Sequence, residues 1–90
     1  MDATLKVEHT ENGAQVILII RNVQNVPITW EEIKIYVRSN TTSWTEVKPQ
    51  HSGTVFGGQS VSVGYFNPGE TVEVKVVYSE TVIWSKSVKV

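Results

Sequence analysis

Ala3-Thr4-Leu5-Lys6-Val7-Glu8-His9, then Asn12-Gly13, then Val16-Ile17-Leu18-Ile19-Ile20, has the pattern of two strands joined by a tight turn. Ala3, Leu5, Val7 and His9 alternate with Thr4, Lys6 and Glu8, the period of two that a half-buried strand requires. Asn12-Gly13 accepts the two positive φ angles of a type I′ turn, so the two runs are predicted to form a hairpin. With that loop Glu11 faces Ala14, and the expected inward pairs are His9 with Val16, Val7 with Leu18 and Leu5 with Ile20. The same register turns Ile17, opposite Glu8, and Ile19, opposite Lys6, to the outer face. Two readings of that face stay open. It is a central strand flanked by the stems of Lys6 and Glu8, or it is covered by another chain or segment. The second makes Ile17 and Ile19 the candidate partner interface.

Outward from the hairpin, a loop is predicted from Asn22 to Pro27, with Val26 biased to extended geometry by the proline. Thr29-Trp30-Glu31-Glu32 has the spacing of a capping box and predicts a single helical turn. Ile33, Ile35 and Val37 alternate with Lys34, Tyr36 and Arg38. A short strand from Trp44 to Lys48 places Trp44, Glu46 and Lys48 on one side. Thr54-Val55-Phe56 is read as pairing locally. Val61, Val63 and Tyr65 share one side of a further strand. Asn67-Pro68-Gly69-Glu70 fits a type II turn. Val72, Val74, Val76 and Tyr78 form the next inward face. Val82, Trp84, Val88 and Val90 continue the core, with Lys86 marking a bulge or strand end near Ser85 to Ser87.

Composition agrees. Val, Ile and Thr number 16, 7 and 9, whereas Leu, Ala and Met number 2, 2 and 1, which excludes a helix bundle, a coiled coil or a Rossmann unit. Short strands punctuated by turns over 90 residues predict a single domain, residues 1–90. Its expected class is all-β: an immunoglobulin-like β-sandwich of about seven mostly antiparallel strands in two sheets. The expected core is Leu5, Val7, Leu18, Ile20, Ile33, Ile35, Val37, Val72, Val74, Val76 and Trp84. A net charge of −1 argues against a dedicated nucleic-acid binder. No apolar run is long enough to span a membrane, so no membrane contact is expected of this segment. With no cysteine there is no disulfide, thiolate metal site or cysteine nucleophile.

"ATLKVEH…VILIIRNVQNVPITWEEIKIYVRSN" followed by "HSGTVFGGQSVSVGYFNPGETVEVKVVYSETVIWSKSVKV" resembles the globular C-terminal domain of archaeal type IV pilin-like and archaellum-related proteins. The matching elements run from about residue 3 to residue 90. They are the helical turn and strand of "PITWEEIKIYV", the aromatic-to-glycine step Phe56-Gly57-Gly58, the turn Phe66-Asn67-Pro68-Gly69-Glu70, and the terminal Val88-Lys89-Val90. The resemblance implies a structural, extracellular domain of a filament or surface appendage. Its implied partners are other pilin-like subunits or cell-surface proteins, and oligomers are allowed. Such proteins carry a long apolar helix ahead of this domain. The chain opens at Met1-Asp2 directly before the first strand, and is read either as a fragment of a longer protein or as a relative without that helix.

The residues themselves suggest little chemistry. Asp2 is the only aspartate, and His9 and His51 are the only histidines, so nothing places a Ser-His-Asp set. The glutamates, Glu70 among them, fall in turns or outward positions and read as solvated charge. His9 reads as a hairpin-rim residue beside Val16, and His51 as a surface-loop residue. No enzyme activity, catalytic residue, metal site or cofactor is expected. The alternative to a packing role is a carbohydrate-binding module, with an exposed aromatic platform drawn from Trp30, Tyr36 and Trp44. A spacer or adhesion domain of a larger surface protein is a third reading. Asn40-Thr41-Thr42 is a glycosylation sequon in a predicted loop, which makes Asn40 a candidate sugar-bearing residue.

Overall fold

The period-two runs become seven strands in the computed structural model, which describes residues 1–23 and 27–90. They are β1 (Asp2–Thr10), β2 (Gly13–Asn22), β3 (Ile33–Ser39), β4 (Thr42–Val47), β5 (Ser60–Phe66), β6 (Thr71–Tyr78) and β7 (Thr81–Lys89). A single 3₁₀ turn, Trp30–Glu32, precedes β3. The strands form two sheets, β1-β2-β5 and β4-β3-β6-β7, and every neighbouring pair is antiparallel. The loop expected from Asn22 to Pro27, with the extended geometry expected at Val26, lies partly outside the described residues.

The core lies where the inner faces of the central strands meet. Val16, Leu18 and Ile20 of β2, Ile35 of β3, and Val72, Val74 and Val76 of β6 are the side chains most completely removed from water. Each contributes about 1.5–3 kcal/mol by burial. Ile33 and Val37 are buried as the alternation requires. Leu5, Val7 and Trp84 differ from expectation: they pack against the core but stay partly exposed. Strands β1 and β7 lie at sheet edges, so their inner faces are covered less completely than those of the central strands.

The first hairpin turns one residue earlier than the Asn-Gly signal implies. Its loop is Glu11-Asn12, and Thr10 pairs with Gly13, His9 with Ala14, Val7 with Val16 and Leu5 with Leu18. Moving a two-residue loop by one position changes each strand partner by two, so every side chain keeps its face. Ile17 and Ile19 therefore remain outward, now opposite Lys6 and Thr4. Gly13 is used for something else. Its φ is 155°, and a Cβ there would stand 2.3 Å from the carbonyl oxygen of Phe66. The glycine permits the close approach of β5 at the end of its pairing with β2. The positive φ angles of a primed turn occur instead at Ser79 (50°) and Glu80 (65°), between β6 and β7.

Two bulges reverse faces that strict alternation assigns the other way. In β5, Ser62 pairs with Ile17 and Gly64 with Val16, which leaves Val63 as the extra residue. Beyond it Tyr65 lies opposite Gln15 and is 70% exposed, while Phe66 packs against the core. Between β6 and β7, Val76 pairs with Trp84 and Val77 with Val82, leaving Ile83 unpaired. Val82 is consequently 51% exposed, contrary to its expected core position. The irregularity expected at Ser85 to Ser87 is absent: β7 runs through it, and Lys86 sits opposite the buried Val74 while remaining exposed. A lysine directed from the inner face of an edge strand opposes edge-to-edge pairing with another sheet.

Candidate functional site

The two outer faces differ in chemistry. On the β1-β2-β5 sheet, Ile17 lies between Lys6 and Ser62, and Ile19 between Thr4 and Ser60. Both isoleucines are half-buried. Lys6 Nζ reaches Glu8 at 3.2 Å, and Gln15 Nε2 donates to Ser62 Oγ at 2.7 Å. The face is a short apolar strip on a central strand, with a charged flank on one side and small hydroxyls on the other.

On the β4-β3-β6-β7 sheet, alternation turns Tyr36 and Arg38 of β3 and Glu73 and Lys75 of β6 outward. The strands then pair Tyr36 with Lys75 and Arg38 with Glu73. Arg38 Nη2 stands 2.8 Å from Glu73 Oε1. Its guanidinium also lies 4.6 Å from the ring centre of Trp44. Lys75 Nζ lies 4.1 Å from the Trp44 ring and 5.5 Å from the Tyr36 ring. Cations held over aromatic faces are attracted by the ring quadrupole. A cleft of about 510 Å³ beside Trp44 is bordered by Arg38, Asn40, Ser43, Thr71 and Ser87. A second, of about 520 Å³, is bordered by Tyr36, Lys75, Lys34, Glu32 and Glu80. Thus Tyr36 and Trp44, named from the sequence, do share a face.

Trp30 does not join them. It is 2% exposed, and its indole stacks on His51 with centroids 4.8 Å apart. Its Nε1 donates to Gln59 Oε1 at 3.0 Å. The expectation of an exposed Trp30 fails because its short turn folds inward. The Thr29 N–H and hydroxyl donate to Glu32 Oε1 at 3.0 and 2.9 Å, closing that turn. The Thr29 backbone amide, then its hydroxyl, lower the Glu32 pKa. The isolated bridge of Thr29 with Thr54 anchors the segment in which local pairing is expected. His51 lies in the loop between β4 and β5, half-buried, with its Nε2 2.7 Å from Ser60 O. His9 is exposed near the hairpin end.

Asn40 stands in the two-residue turn between β3 and β4 and is exposed. Its Oδ1 accepts the Thr71 N–H at 3.1 Å. Beside it Glu70, read from the sequence as a solvated charge, is 9% exposed. Its carboxylate accepts hydrogen bonds from the Thr41 hydroxyl, from Ser39 Oγ at 2.9 Å and from the Asn67 N–H at 2.7 Å. Together the Thr41 hydroxyl, the Asn67 amide and the Ser39 hydroxyl hold the Glu70 pKa below the ordinary carboxylate value. The carboxylate ties the β3–β4 turn to the Asn67-Pro68-Gly69-Glu70 turn. Gly69, at a φ of 88°, occupies the position where a type II turn requires it.

Alternation along the sequence gives Arg38, Lys75 and Glu73 no role beyond an outward position, and Glu70 none beyond a solvated charge. The outward phase of the first three was readable, but their juxtaposition depends on β3 pairing with β6, which the sequence does not encode locally. Among the described residues no group of three His, Asp or Glu side chains is placed to hold a metal ion, and no helix is long and apolar enough to cross a membrane. Comparison with protein-family models, curated proteins and solved structures gives no match.

Proposed function

We propose that this chain is a structural, extracellular domain of an archaeal pilin-like filament or cell-surface appendage, with immunoglobulin-like strand connectivity, acting by protein–protein packing. The observation that carries this reading is the Ile17–Ile19 strip at the centre of the β1-β2-β5 face, with the small residues Ser60 and Ser62 on one flank. A short apolar strip on a regular strand suits a packing surface better than it suits solvent. The second support is asymmetry. Open, head-to-tail assembly requires two unlike surfaces on one subunit, and the two outer faces here are unlike: one aliphatic, the other aromatic and cationic.

The test is to replace Ile17 with Lys and Ile19 with Glu in the native surface protein. Both variants should keep the far-UV circular dichroism spectrum and the thermal midpoint nearly unchanged, while lowering recovery of assembled material from sheared cell surfaces. A large fall in midpoint for both would assign these side chains to the fold itself. Unaltered assembly in well-folded variants would remove the strip as an interface.

A further inference from the structure

We infer that the outer face of the β4-β3-β6-β7 sheet binds an anionic saccharide, specifically a chain bearing uronic-acid carboxylates. This face belongs to the other sheet from the packing strip, and binding here does not depend on assembly through that strip. Its basis is an imbalance in charge pairing. Glu73 is paired with Arg38, Glu46 with Lys48 at 2.9 Å, and Glu32 with the amide and hydroxyl of Thr29. Lys34 and Lys75 form no salt bridge among the described residues. Glu80 is the remaining carboxylate that borders the second cleft, and it forms no salt bridge with Lys75.

Lys75 is thus a cation without a carboxylate partner, held between two aromatic rings at the centre of the face. A partner carboxylate would complete a charge-assisted hydrogen bond with it. Trp44 and Tyr36 are each partly exposed, so solvent still reaches part of both rings. A pyranose ring can rest its C–H groups against that part. Around Trp44 the border includes Asn40, Ser43, Thr71 and Ser87, amide and hydroxyl groups that match sugar hydroxyls, together with Glu73, whose charge is answered by Arg38. Aromatic area with a few convergent polar groups is the usual make-up of a ligand site. A neutral sugar would leave Lys75 unanswered, which is why the assignment is to an acidic one.

The experiment is calorimetric titration of the intact chain with a galacturonic-acid hexamer and with its fully methyl-esterified, neutral counterpart. Amide and indole NMR shifts are recorded alongside. The acidic hexamer should bind, weaken as salt is raised, and shift the signals of Trp44, Tyr36 and Lys75. The ester and the Lys75→Gln variant should each bind about tenfold more weakly, a difference of about 1.4 kcal/mol. Lys75→Arg should restore binding. No heat and no shifts with the acid form would overturn the inference, as would equal affinity for the ester or for a folded Lys75→Gln variant. A glutamate hexapeptide that binds equally tightly and moves the same signals would overturn the saccharide assignment in favour of an acidic peptide.

Discussion

Replacing Gly13 tests the hairpin register directly. If Asn12-Gly13 were the loop of a type I′ turn, Gly13→Asn would be nearly neutral, because Asn tolerates that backbone. The structure puts Gly13 in β2 instead, paired with Thr10. Any Cβ would meet Phe66 O at 2.3 Å and the Phe66 carbonyl carbon at 3.3 Å. Those are backbone atoms in the β2–β5 ladder, next to the pairing of Ala14 with Phe66, and cannot rotate away. The strained φ costs about 1–2 kcal/mol. Forcing the backbones apart adds about 1–3 kcal/mol. Gly13→Ala and Gly13→Asn should therefore both destabilise by about 2–5 kcal/mol, lowering the melting temperature by about 10 °C or more in a domain of this size. Urea denaturation and calorimetry on both variants measure this. A Gly13→Asn variant within about 0.5 kcal/mol of the parent, a margin ordinary for unstrained surface changes, would refute the close-approach argument and restore the Asn-Gly loop.

The β6–β7 turn offers the opposite change. Glu80 has a φ of 65°, and Glu80→Gly should relieve about 1–2 kcal/mol of strain against about 0.5–1 kcal/mol of added chain entropy, for a small net rise in the melting temperature; a fall would show that the Glu80 side chain stabilises the turn. Glu70 sets an acid limit. Its folded pKa is lowered, so its contribution is present above the ordinary carboxylate range and is lost as pH falls through that range towards the folded value. The melting temperature should decline over that interval, and Glu70→Gln should lower stability at neutral pH and flatten the decline. An equally steep acid limb in Glu70→Gln would assign it to other carboxylates.

Strands with unbroken alternation show their inner faces in the sequence itself. Ile33, Ile35 and Val37, and Val72, Val74 and Val76, alternate without interruption, and all six are buried. The outward pair Ile17 and Ile19 survived an error in the turn, because displacing a two-residue loop by one position preserves parity. Tyr65 and Val82 were misplaced because a bulge reverses parity, and neither Ser62-Val63-Gly64 nor Val82-Ile83-Trp84 carries a distinctive local signal. Trp30 is buried against expectation because a loop position says nothing about whether the loop folds onto the core. Tyr36 and Trp44 lie on one face, and the cations over their rings come from positions that local alternation does not bring together.

The all-β class and the inward faces of the central strands follow from the order of residues alone, because side-chain direction along a strand obeys a local period of two. Which strands become neighbours is fixed by the packed fold, and with it the Arg38–Glu73 pair, the seat of Lys75 near two rings and the burial of Glu70. Those contacts join residues that are far apart along the chain, and strand pairing is a long-range choice made by the whole core at once.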